Sequence, residues 1–163
     1  MGRTPGLGDP SLLRLALLGG LPDAGWDMVM EVVERKTAEL EGADLDWAVA
    51  IAEGWTPDRP KDGQLKKQWP GGVTQYIVVG ENADMCATWH RYKPSSDWSQ
   101  GGPLVAQNGK RIGLELRLAE VSASFLQSGM RIGYTASDVL IAACRAIVAA
   151  KLGDTVQIPS ELA

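Results

Sequence analysis

Two stretches of the chain carry apolar residues at helical spacing, and several others carry them at strand spacing. From Ala43 onward, Leu45, Ala48, Val49 and Ala52 fall at i, i+3, i+4 and i+7, one face of an α-helix. Asp44, Asp46 and Glu53 lie off that face and read as its solvated side, the first two near the positive end of the helix dipole. Trp47 and Ile51, one turn apart, add a second apolar strip, either for packing or for the wall of a pocket or subunit contact. Gly54 stops this helix. The second helix is apolar on nearly every side, through Val139, Leu140, Ile141, Ala142, Ala143, Ala146, Ile147, Val148 and Ala149. Such a helix is buried on more than one face, here against a sheet and against another helix or a second subunit. Thr135 or Ser137 would cap it, Lys151 suits its negative end, and Gly153 ends it.

Strands are expected where apolar and β-branched residues cluster or alternate. Val32-Val33 predicts a short one, and 76–79 (YIVV) a compact one. Residues 81–84 read as a turn and 85–90 as a returning strand. Ile112, Leu114, Leu116 and Leu118 alternate with polar residues over 111–118, the clearest period of two in the chain. Residues 121–126 and 130–134 follow as two more strands, with turns at Asn108-Gly109 and 127–129. Residues 56–75 read as a loop, because Pro57, Pro60, Gly63, Pro70, Gly71 and Gly72 interrupt any regular element. Lys61, Lys66, Lys67 and Trp69 make a basic-aromatic cluster there, either a solvated loop or a lid that meets an anionic ligand. In 92–103 (YKPSSDWSQGGP), Pro94 turns the chain away from helix. Ser95 or Ser96 then caps a short helix with Asp97 in its first turn. Residues 154–163 read as a tail. The order of elements predicts an α+β fold: an antiparallel sheet of about four strands covered by helices, including the long apolar C-terminal one. Residues 1–29 are rich in Gly and Pro and carry no clear period, so they read as a poorly patterned N-terminal extension to a single domain spanning 30–163.

Composition narrows the function classes. With 163 residues, 45% hydrophobic and 22% charged, the chain has ordinary globular make-up and enough length for one continuous core. A net charge of −4 gives no global attraction for phosphate backbones, so nucleic acid is a disfavoured partner. Cys86 and Cys144 are isolated and His90 is the sole histidine, so no zinc or redox motif can be written, and no cofactor is expected. Two reduced cysteines in a cytoplasmic protein is the favoured reading, with a Cys86–Cys144 disulfide as the alternative. No apolar run approaches a membrane span. The apolar stretch at 12–21 is short and interrupted by Arg14, so it makes a poor secretion signal.

The chemistry concentrates in one place. Trp89, His90, Arg91, Tyr92, Lys93, Ser95, Ser96, Asp97 and Trp98 bring stacking faces, cations and hydroxyls together within ten positions. Ser95 or Ser96, His90 and Asp97 could be drawn as a nucleophile, base and orienting acid. There is no G-x-S-x-G elbow and no P-loop to support an enzyme. Ligand binding fits the set better: aromatic faces stack on a base and guanidinium or ammonium groups neutralise phosphate. The competing reading is that Trp89 and Trp98 pack beneath the loop and Tyr92 anchors it. Arg145 is likewise read in two ways, as a charge paired with a carboxylate such as Asp97 or as an anion ligand at the base of the pocket.

Four segments together resemble a phage family of NinX-like proteins, a domain of unknown function. They are LEGADLDWAVAIAEGW (40–55), YKPSSDWSQGGPLV (92–105), YTASDVLIAACRAIVAAKLGD (134–154) and the closing VQIPSELA. The spacing of Tyr, Pro-Ser, Asp-Trp and Gly-Gly-Pro in the second is the specific part. Where family members often carry Thr-Pro before the last helix, this chain has Ala136-Ser137. The resemblance implies a phage or prophage origin, an accessory role and a host cytoplasm as location. It implies no reaction. The combined expectation is a non-enzymatic, homo-oligomeric binder of a nucleotide-like small molecule, of the kind used in counter-defence. The alternatives are a protein-interaction module working through Trp47, Ile51 and the last helix, and a nucleic-acid accessory factor.

Overall fold

The computed structural model describes residues 31–59, 62–80, 90–109, 111–116, 121–127 and 130–163. The predicted turn at 81–84, most of the predicted strand at 85–90, Lys61, Cys86, Trp89 and the N-terminal extension lie outside them. The chain forms β1 (Val32–Lys36), a 3-10 turn (Thr37–Glu39) and helix α1 (Gly42–Ala52). Next come β2 (Thr56–Arg59), β3 (Gln64–Gln68), β4 (Thr74–Val78) and β5 (His90–Arg91). Helix α2 (Trp98–Gln107), β6 (Ile112–Leu116), β7 (Val121–Gln127), β8 (Met130–Ala136), helix α3 (Val139–Leu152) and β9 (Thr155–Pro159) complete it.

The fold is α+β, as the element order predicts, and it contains a four-stranded sheet. The strands are shared among three sheets, however. β2-β3-β4-β5 is mixed, because β5 runs parallel to β4. β6-β7-β8 is an antiparallel meander, and β1 pairs antiparallel with β9. The segment expected to be a loop at 56–75 is instead a hairpin that supplies β2, β3 and the first residues of β4. Pro57 is tolerated because β2 is an edge strand, and the register shifts between Pro57 and Arg59. The segment expected to be a tail holds β9, whose Val156 and Ile158 are buried.

Helices α1 and α3 lie at the centre. Leu45, Val49, Ile147, Val148 and Ile158 share one cluster with Leu65 and Ile77 from the four-stranded sheet. Trp47 is 1% exposed, so it is core and lines no pocket or subunit contact. On the other side of α3, Ala142, Ala143 and Ala146 meet Ala123 of β7. Small side chains here let the helix lie close on the meander. Both helix ends follow the predicted stops, with Gly54 at φ 86 and Gly153 at φ 100. The cap of α3 is Asp138, one residue past the predicted Ser137: its Oδ1 accepts the Leu140 N–H at 2.8 Å. This supplies the N-terminal acceptor that Ala136-Ser137 leaves unprovided.

Arg145 is 5% exposed, and its partner is not Asp97. Its Nε donates to the Leu40 carbonyl at 2.9 Å, Nη1 to the Thr135 carbonyl at 2.8 Å, and Nη2 to Glu41 Oε1 at 3.0 Å. One guanidinium thereby joins α3 to the start of α1 and to β8.

Candidate functional site

The path from β5 into α2 carries the predicted cluster, and it is held from below by a buried acid. Asp46 and Asp44 belong to the side of α1 that was expected to face solvent, yet both are buried. The reason is that α1 is enclosed all round, and each acid finds a partner from a distant segment. Arg35 Nη2 donates to Asp44 at 3.1 Å. The Ser95 backbone N–H donates to Asp46 Oδ1 at 2.8 Å. Burial drives the Asp46 carboxyl up to about 6, against the opposing pull of its hydrogen bonds from Ser95 and of the Lys93 charge.

That shift fixes a sign. The folded chain holds a proton on Asp46 that the unfolded chain, with a carboxyl at its ordinary 3.8, has already lost. Stability therefore rises as pH falls from above 6 toward 4, by up to about 3 kcal/mol for this group. Asp46→Asn keeps an oxygen acceptor for Ser95 and removes the buried charge. Urea unfolding at pH 7.5 and at pH 5 should show the parent gaining stability on acidification and the Asn variant starting higher with a flatter response. An unchanged slope in the variant would exclude Asp46 as the source.

The rest of the loop is fixed just as locally. Asp97, not Ser95 or Ser96, caps α2: its Oδ1 accepts the Ser99 N–H at 2.9 Å and the Ser99 hydroxyl at 2.6 Å. Those bonds hold its carboxyl below the ordinary range. Gln100 reaches back, accepting the Lys93 N–H at 2.9 Å and donating to the Arg91 carbonyl at 3.0 Å. Gly101 sits directly beneath Pro94, where any Cβ would collide with the Pro94 carbonyl oxygen. Helix α2 runs ten residues through Gly101, Gly102 and Pro103, longer than the glycines led one to expect.

The predicted residues thus divide into two groups. Tyr92, Ser95, Asp97 and Arg145 are structural anchors. Tyr92 is half-buried with its ring 6.3 Å from that of Trp55, and burial pushes its hydroxyl far up. Of the drawn Ser-His-Asp arrangement, Ser95 is buried on Asp46 and Asp97 is engaged on Ser99, while Ser96, the alternative serine, is exposed. His90, Arg91, Lys93 and Ser96 are exposed, and Trp98 is 58% exposed on the first residue of α2. Trp89 lies outside the described residues. Cys144 is a free thiol buried behind Tyr92 and Asp46, and burial raises it to about 12, well away from a reactive thiolate. Among the described residues no cluster of His, Cys, Asp and Glu could hold a metal. No helix among them is long and apolar enough to cross a membrane.

A second aromatic and basic group was only half-visible as the cluster in 56–75. Lys67 Nζ lies 4.7 Å from the Trp69 ring and 5.8 Å from the Trp55 ring, and donates to the Glu53 carbonyl at 2.7 Å. Trp69 Nε1 donates to Gln75 at 2.8 Å. Trp55 therefore links Lys67 to Tyr92, so the hairpin and the loop share one packed seam.

No curated protein matches the chain. The family described as Bacteriophage P22, NinX matches residues 36–151, which take in the buried acid, the loop, Trp98 and the arginine clamp, and the chain belongs to that family.

Proposed function

We propose that this phage protein is a non-enzymatic accessory factor that captures a small nucleotide-derived molecule on the surface formed by His90, Arg91, Lys93, Ser96 and Trp98. One observation carries the reading. Trp98 holds an indole 58% exposed on the first turn of a helix whose preceding loop is fixed at Ser95, Asp97 and Gln100. A large apolar ring kept in water on rigid backbone loses little entropy when a ligand covers it. Stacking of one base on such a ring contributes about 1–3 kcal/mol, and the exposed Arg91 and Lys93 supply charge for phosphate. Retention of an intact signal molecule in the host cytoplasm would suit counter-defence. Of the residues named for the rival protein-interaction reading, Trp47 is enclosed in the core and Ile51 is half-buried.

Native mass spectrometry of the protein from phage-infected cells tests this and counts subunits in the same spectrum. A retained small molecule, released intact on denaturation, is the expected result. Trp98→Ala should lose it while unfolding within about 1 kcal/mol of the parent, since the ring buries little. Full retention by that variant, or an empty parent protein, would reject the reading.

A further inference from the structure

The exposed end of the four-stranded sheet carries a concavity of about 440 Å³, lined mainly by Thr56, Lys66, Lys67, Gln68, Thr74 and Tyr76. The pairing explains why these side chains meet. Thr56 lies opposite Lys66, Lys66 opposite Tyr76, and Gln68 opposite Thr74. Residues opposite one another project to the same side, and alternate residues of a strand do so too. Lys67 also borders the concavity, but its ammonium is held by Trp55, Trp69 and the Glu53 carbonyl. Of the two described lysines that line it, Lys66 therefore supplies the ammonium.

We propose that this concavity is a second binding site, separate from the Trp98 surface, for the phosphoryl group of a small phosphorylated aromatic molecule such as a nucleoside monophosphate. The volume lies in the range of small-molecule sites. Among the described residues its lining carries no Asp or Glu, and the Asp58 carboxylate at its edge is bound to Lys66. Tyr76, 36% exposed, stands opposite Lys66 across the β3-β4 pairing. Two hydroxyls and an amide supply neutral hydrogen-bonding groups around it.

Asp58 decides how the site works. The register shift in β2 brings its Oδ1 to 2.8 Å from Lys66 Nζ. That contact raises the Lys66 ammonium above its ordinary range, so the charge is present at every physiological pH. Both side chains are partly exposed, and such a pair is easily exchanged for a stronger anion. The carboxylate thus occupies the ammonium until a phosphoryl group displaces it.

The test uses the full chain and adenosine 5′-monophosphate, with adenosine and inorganic phosphate as controls, followed by amide chemical shifts. Saturable shifts at Thr56, Lys66, Gln68, Thr74 and Tyr76 are expected with the monophosphate. Lys66→Gln should weaken binding roughly tenfold or more. Asp58→Asn should tighten it several-fold by freeing the ammonium, and it keeps the test decisive if the Lys66 variant folds poorly. Trp98→Ala should leave these shifts in place. The proposal is overturned by the absence of saturation at these amides, by adenosine binding as tightly as its monophosphate, or by weaker binding in Asp58→Asn. Loss of these shifts in Trp98→Ala would overturn the separation of the two surfaces while leaving the Trp98 reading intact.

Discussion

Replacing Arg145 with methionine will cost about 3–5 kcal/mol, while replacing its carboxylate partner by Glu41→Gln will cost less than about 1 kcal/mol. The asymmetry follows from exposure. Arg145 is 5% exposed, but the Glu41 side chain is 71% exposed and recovers water when the guanidinium is gone. The Leu40 and Thr135 carbonyls are the partners that matter, since both lose a charged donor with the arginine. Arg145→Lys should recover only part of the loss, because a single ammonium cannot reproduce the planar fork that reaches two carbonyls and a carboxylate. Urea unfolding of the three variants measures the order. A cost for Glu41→Gln as large as that for Arg145→Met would mean that the ion pair, and not the carbonyl ligation, stabilises the junction.

Gly101→Ala will destabilise the fold by about 2 kcal/mol or more, whereas Gly102→Ala next to it will stabilise by about 0.5–1 kcal/mol. Both glycines are inside α2, where alanine is the better helix former. At Gly101 that gain is overwhelmed. The added methyl would meet the Pro94 carbonyl and the Leu140 side chain at 2.8 Å, and a backbone carbonyl has no rotamer with which to yield. At Gly102 it meets the Trp98 ring at an ordinary 3.8 Å. The displaced loop in Gly101→Ala should also release the Ser95 N–H from Asp46, read as faster hydrogen exchange at that amide. Equal effects of the two substitutions would show that the helix and the loop are not in the contact described.

The helices were legible because their apolar spacing and terminal glycines are local signals, and the meander because Ile112, Leu114 and Leu116 alternate. Errors arose where a distant segment supplied the partner. Asp44 and Asp46 look solvated in a short window, since nothing near them announces Arg35 or the Ser95 N–H. The hairpin at 56–75 was hidden by prolines and glycines that an edge strand and its turns accommodate. The strand Thr155–Pro159 is only five residues long, and its Val-Gln-Ile alternation is too short to stand out without β1 beside it. For the candidate site, the density of rings and cations in 89–98 located the loop. Which of them would be anchors depended on Asp46 and Trp55, more than thirty positions upstream.

The pairing of β1 with β9 has a consequence for how the protein is made. Glu34 and Gln157, bonded across that ribbon, are 123 residues apart. Residues translated between them cannot close the molecule, because Val156 and Ile158 supply core surface that nothing earlier replaces. At bacterial elongation speeds of roughly 5–20 residues per second, Val32–Lys36 waits several seconds outside the ribosome with its edge bare. A nascent chain stalled short of Thr155 is thus a natural substrate for chaperones and proteases.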